Sequence, residues 1–165
     1  MKRLFILRHA QTEPAGHGGD RERELTAQGI EDARALGRTM KAKGFIPDLV
    51  FCSPARRTKQ TLGKISETLG VLQTEFQRII YEGGYNELVE LVKEADNSSN
   101  ALLVVGHNPA IHQFAASMAQ EDKNPLLSRL NVSYAPGTLT VLDVPRESWA
   151  ELSHGENKLV DLIEP

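Results

Sequence analysis

Cysteine is nearly missing from this chain: Cys52 is the only one in 165 residues. No intrachain disulfide can form, which points to a reducing compartment. A basic surplus is missing too. Against 22 Asp and Glu stand 19 Lys and Arg, a net charge of −3, so the electrostatic footprint of a nucleic-acid binder is absent. Apolar runs such as Ala101–Val105 fall far short of the ~20 residues that cross a bilayer. The first residues enter a strand pattern with no apolar leader before them. A cytoplasmic protein is expected, with neither nucleic acid nor membrane as partner. Gly16, Gly18 and Gly19 enrich one loop in glycine but lead into no Lys-Ser/Thr ending, so a nucleotide P-loop is excluded. His17, His112 and His154 show no metal-ligand spacing with Cys or carboxylates, so neither metal nor cofactor is expected.

What is present reads as one domain over residues 1–165, without repeat, linker or low-complexity tract. Leu4–Leu7 is a short apolar run of the kind that becomes a buried strand. Thr26 is placed to cap a helix reaching Lys43, with Ile30, Ala33, Leu36, Gly37 and Met40 on one face and Gly44 ending it. Asp48–Cys52 is a second strand. Ser53-Pro54 predicts a helix start, N-cap followed by proline, with Leu62, Ile65 and Leu69 inward. Phe76–Tyr81 suggests a further strand before a loop at Glu82-Gly83-Gly84. Leu88, Leu91, Val92 and Ala95 mark another amphipathic helix, and Ala101–Val105 is the clearest buried strand. Gly106-His107-Asn108-Pro109 turns into a helix with Ile111, Phe114, Ala115 and Met118 inward, Asn108 serving as its N-cap. Thr138–Val144 alternates as a late strand, and Trp149–Leu152 is a candidate to pair beside it. Residues 13–22 and 120–135 read as the most mobile segments. Strands alternating with helices predict an α/β fold, a three-layer α/β/α sandwich around a mostly parallel sheet.

Three strand ends carry chemistry. The first runs into Arg8-His9, the second into Ser53-Pro54-Ala55-Arg56-Arg57, the third into Gly106-His107. Taken singly, each has an ordinary explanation: a solvated strand end, a charged helix face, a packed histidine. If the strands are parallel neighbours, however, Arg8, His9, Arg57 and His107 meet on one sheet edge, where α/β proteins bind ligands. Two helix N-termini there would add anion-binding N–H groups. Two arginines and two histidines around one cavity suit a phosphoryl group. Cys52 is no rival nucleophile of the Cys-x5-Arg type, because that loop would need arginine where Thr58 stands.

Leu7-Arg8-His9-Ala10, Leu25-Thr26-Ala27-Gln28-Gly29, Ser53-Pro54-x-x-Arg57-x-x-Gln60-Thr61 and Val105-Gly106-His107-Asn108-Pro109 together resemble the histidine phosphatase superfamily, whose larger members include phosphoglycerate mutases. The short length and the Gly-His-Asn-Pro junction resemble its SixA type, a phosphohistidine phosphatase. The resemblance implies His9 as nucleophile and Arg8, Arg57 and a protonated His107 as phosphate-binding groups. It implies Glu82 as general acid, with a solvated loop residue as the competing explanation. No metal is implied, since cationic side chains meet the phosphoryl charge.

Ala10 stands where many relatives have Gly, and Gln11-Thr12-Glu13 offers no Asn of the kind sugar-phosphate enzymes carry; both weaken a mutase assignment. Arg23 either rims the pocket or pairs with Glu22 or Glu24. With few insertions to roof it, the site is expected to be open, which favours phosphohistidine on a protein as substrate. A small phosphorylated substrate is the alternative, and a non-catalytic phosphohistidine-binding module the third possibility.

Overall fold

The first strand, β1 (Lys2–Arg8), is buried on both sides. Leu4 and Ile6 join one apolar cluster, Phe5 and Leu7 another. Strands covered on both faces read as continuous apolar runs rather than as alternation. The computed structural model, which describes residues 1–165, continues with α1 (Ala27–Lys43), β2 (Leu49–Cys52), α2 (Arg56–Leu69), β3 (Thr74–Phe76), α3 (Arg78–Glu82), α4 (Tyr85–Lys93), β4 (Ala101–Gly106), α5 (Ala110–Met118), α6 (Leu126–Val132), β5 (Leu139–Val144) and β6 (Lys158–Ile163). The sheet order is β3-β2-β4-β1-β5-β6. β3, β2, β4 and β1 pair in parallel, while β5 and β6 add on antiparallel. Leu36 and Met40 of α1 and Leu62 and Ile65 of α2 pack on one face. Ile80, Leu88, Val92, Ile111, Phe114 and Leu130, from α3 to α6, pack on the other. This is the expected three-layer arrangement. No helix is long and apolar enough to cross a membrane.

The register positions the site. Leu7 pairs with Val105, Arg8 with Gly106, and Cys52 with Val105. The three strands therefore end level, and the residues just after them stand side by side.

α1 forms as expected. The Thr26 hydroxyl accepts from the Gly29 N–H, and Gly44 closes the helix at φ 72°, where a side chain would be strained. Elsewhere local signals misled. α2 starts at Arg56, not at Ser53. The residue before a proline is biased toward extended backbone, and the Thr58 hydroxyl ties the Ser53 and Ala55 carbonyls into a turn at 2.7 and 2.8 Å. The proposed strand Phe76–Tyr81 is instead the end of β3 followed by α3, which buries Ile80 and leaves Ile79 outside. The partner of β5 is β6, not Trp149–Leu152. Trp149 sits in a 3-10 turn capped by Ser148, with its indole N–H on the Ser99 carbonyl. Residues 120–135 contain α6, whose Leu130 is buried, as is Tyr134 beyond it. Asn108 does not cap α5; its amide donates to the Tyr134 carbonyl at 3.1 Å.

Candidate active site

His9 follows β1 directly and is only 6 % exposed. Its backbone is pinned between strands: its N–H donates to the Gly106 carbonyl, and its carbonyl accepts from Gly137. Gly137 turns toward it at φ 88°, a conformation that favours glycine. The imidazole Nδ1 lies 2.8 Å from the Ala10 carbonyl. A carbonyl can only accept, so Nδ1 carries the proton and Nε2 keeps its lone pair. Burial pushes the ring's pKa down to about 4, the Ala10 carbonyl works against this, and Arg57, Arg8 and Arg23 lower it further. His9 is thus a neutral imidazole with an unencumbered nitrogen at pH 7.

His107, one residue past β4, stands with its ring centre 5.4 Å from that of His9. Its Nε2 lies 2.7 Å from the Ser53 hydroxyl, while Nδ1 is buried and has no partner. Burial first, then Arg57 and His9, push its pKa down to about 3. The protonated His107 expected from sequence is therefore neutral among these guanidinium groups.

Arg57, in the first turn of α2, is buried. Its two terminal nitrogens donate to Asp20, one to the main-chain carbonyl at 2.7 Å and one to the carboxylate at 3.1 Å. Its Nε is buried without a partner. Arg8 shows the same pattern. One terminal nitrogen donates to the Tyr134 carbonyl at 2.9 Å, and its Nε is buried and unpaired. Thr61 links the elements: its hydroxyl accepts from the Ala10 N–H and donates to the Arg57 carbonyl. Buried donors without partners are costly and rare. Three of the six unpartnered buried side-chain atoms are Arg8 Nε, Arg57 Nε and His107 Nδ1, so the chain's unmet hydrogen-bonding capacity is concentrated around His9.

Glu82 is not brought into this group. It ends α3 half-exposed and pairs with Arg78 at 3.1 Å. Its neighbour Tyr81 enters instead, with its ring edge-on to His107 and its hydroxyl donating to Asp20 at 2.6 Å. Asp20 is the carboxylate at this site. Its pKa falls to about 2, chiefly through the Tyr81 hydroxyl, with Arg57 and Arg23 adding to the effect. Arg23 pairs with Asp20 at 3.3 Å and with the Thr12 hydroxyl at 2.7 Å. Glu22 and Glu24, its expected partners, go to Arg56. Arg23 lowers the proton affinity of both Arg8 and His9, and so belongs to the rim. Asp20, Tyr81 and the bond between Ser53 and His107 carry no signal in the sequence. Asp20 and Tyr81 lie in a loop and a short helix whose placement no local pattern sets. Cys52 lies on β2 with its thiol buried and pushed up to about 12, so it is no nucleophile. Nowhere do three His, Cys, Asp or Glu side chains converge as metal ligands would.

Residues 4–88 match the family model described as histidine phosphatase superfamily (branch 1). A 2,3-bisphosphoglycerate-dependent phosphoglycerate mutase of Afipia carboxidovorans is 34% identical over 96 residues, 55% of this chain and 46% of the mutase. The chain thus spans about half the length of that relative. An uncharacterized protein of Mycobacterium tuberculosis is 27% identical over 162 residues, 96% of this chain and 99% of its own. Among solved structures, a putative phosphohistidine phosphatase SixA from Nakamurella multipartitia superposes with a TM-score of 0.87 at 27% identity, covering 99% of this chain and 96% of that one.

Proposed function

The chain belongs to the histidine phosphatase superfamily, and from that premise we propose that residues 1–165 act as one phosphohistidine phosphatase domain in which His9 is the nucleophile. The observation that carries this is the grouping of unpartnered Arg8 Nε, Arg57 Nε and His107 Nδ1 around a neutral His9 whose Nδ1 proton is already committed. In this proposal His9 Nε2 attacks phosphorus in line and a P–Nε2 bond forms. The bond to the substrate nitrogen breaks with its electron pair leaving on that nitrogen. Arg8, Arg57 and His107 meet the charge on the equatorial oxygens. An arriving phosphoryl dianion raises the proton affinity of His107, which then supplies the positive charge expected of it. Water next attacks the phosphorus, the electron pair returns to Nε2, and orthophosphate departs.

Phosphohistidine on a protein is favoured as substrate. Arg23 at the rim also borders a mainly polar groove of about 390 Å³ between the 13–24 segment and Arg56. Such a groove suits a solvated polypeptide surface better than a small buried metabolite. The putative SixA neighbour is of the same size and shape. Hydrolysis of small phosphomonoesters is the second reading, supported by the 34% identity to a phosphoglycerate mutase over 96 residues.

The test is to incubate the protein with a ³²P-phosphohistidine phosphocarrier, quench in alkali and compare wild type with His9→Ala. Phosphate release with transient alkali-stable, acid-labile label on the wild type alone supports the proposal. Turnover of phenyl phosphate with neither label nor release from the phosphocarrier moves the substrate to small esters. Undiminished activity in His9→Ala refutes the mechanism.

A further inference from the structure

On the phosphohistidine reading above, we infer that Asp20 is a specificity-determining residue that selects an imidazole leaving group by accepting the N–H of its distal ring nitrogen. Asp20 stands outward of Arg57, its side chain 49% exposed against 7% for Arg57. An incoming group therefore meets the carboxylate at the mouth. Its bonds to Arg57, Tyr81 and Arg23 fix both oxygens in place, yet three accepted hydrogens leave room on a group with about four lone-pair sites. Its charge also raises the proton affinity of His107, so its field reaches the phosphoryl pocket.

The chemistry follows from which leaving group tolerates a fixed anion. A phosphoimidazole departs well when its distal nitrogen is protonated, because the electron pair of the breaking P–N bond then produces neutral imidazole. A carboxylate that accepts the distal N–H holds that proton in place and needs to donate none. A phosphomonoester departs as a developing alkoxide, which the same carboxylate repels. Asp20, with its low pKa, is acceptor-only at working pH and cannot supply the proton an alkoxide needs. Glu82, turned to Arg78, does not contact this mouth. The site thus favours the P–N bond over the P–O bond through one side chain.

The experiment compares kcat/KM for a phosphohistidine peptide and for phenyl phosphate in wild type and Asp20→Asn. Asparagine keeps an oxygen for Arg57 and Tyr81 but loses the charge. A hydrogen bond from a charged ring to a carboxylate is worth enough to set an expected tenfold or larger fall (~10×) in the phosphohistidine-to-phenyl phosphate ratio. Phenyl phosphate turnover and vanadate inhibition fall by less than peptide turnover, since any loosening of Arg57 affects both substrates alike. Equal loss on both substrates with weakened vanadate inhibition overturns the inference, leaving Asp20 as a strut for Arg57. An unchanged ratio overturns it as well. A wild type that cleaves phenyl phosphate but not the peptide refutes the phosphohistidine reading itself, and this inference with it. Asp20 opens an exposed 3-10 turn, Asp20–Glu22, and an unaltered thermal melt shows that the variant is folded.

Discussion

Lowering the pH from 7.5 to 5.0 should destabilise this protein through two residues of its own site. His9 and His107 hold pKa values near 4 and 3 in the fold, against about 6.5 in an unfolded chain. Between those values the unfolded state binds more protons, so stability rises with pH and is lost as pH falls through the window from about 6.5 to 4. At pH 5 each ring costs about 1.4 kcal/mol for each of about 1.5 pH units, roughly 2 kcal/mol. The pair together costs about 4 kcal/mol, a large share of the ~5–15 kcal/mol that holds a typical domain. Asp20 acts in the same sense, but its contribution is lost only as pH falls from about 3.8 to about 2, below this window. Urea unfolding at the two pH values measures the effect in wild type and in His107→Gln. The variant should lose about 2 kcal/mol less than wild type on acidification. Equal losses in the two proteins would refute the claim that burial and the surrounding arginines hold these rings neutral.

Three further outcomes are expected. Ser53→Ala removes the partner of His107 Nε2 and should lower kcat/KM about tenfold, the worth of one buried hydrogen bond; an unaltered value means another contact orients the ring. Iodoacetamide should leave native activity intact, because the Cys52 thiol is buried and pushed up to about 12; stoichiometric inactivation of the folded protein contradicts this. Gly29→Ala should cost about 1–3 kcal/mol in urea unfolding, since its Cβ would lie 2.2 Å from the Gln11 carbonyl oxygen; a stability equal to wild type would mean that the loop yields freely.

The parts of the fold that were legible in the sequence are those written into contiguous residues. Leu4–Leu7 and Ala101–Val105 are apolar throughout because both faces of their strands are covered, and Thr26 and Gly44 mark the ends of α1. The meeting of Arg8, His9, Arg57 and His107 was legible because Arg8 ends β1, His9 and His107 follow β1 and β4 directly, Arg57 lies in the first turn of the helix after β2, and the three strands end level. What stayed hidden depends on pairings between distant segments. Asp20 reaches Arg57 through a loop, and Tyr134 holds Arg8 by a main-chain carbonyl that any residue could offer. Tyr81 and Glu82 are neighbours in sequence, yet a helical turn sends one toward His107 and the other toward Arg78. The acid expected at 82 was displaced by geometry that no motif encodes.

The central position of β1 also bears on how the molecule is made. Leu4 pairs with Leu102 on one side and with Leu142 on the other, so both neighbours of the first strand are synthesised long after it. Pairings so distant in sequence are slow to close. On the ribosome, Arg8 and His9 wait on an unpaired strand until β4 and β5 have emerged, and Gly137 buttresses the His9 carbonyl only at that late stage. A nascent chain released early would carry Arg8 and His9 but no pocket around them, so the chemistry proposed for this site requires completion of the sheet.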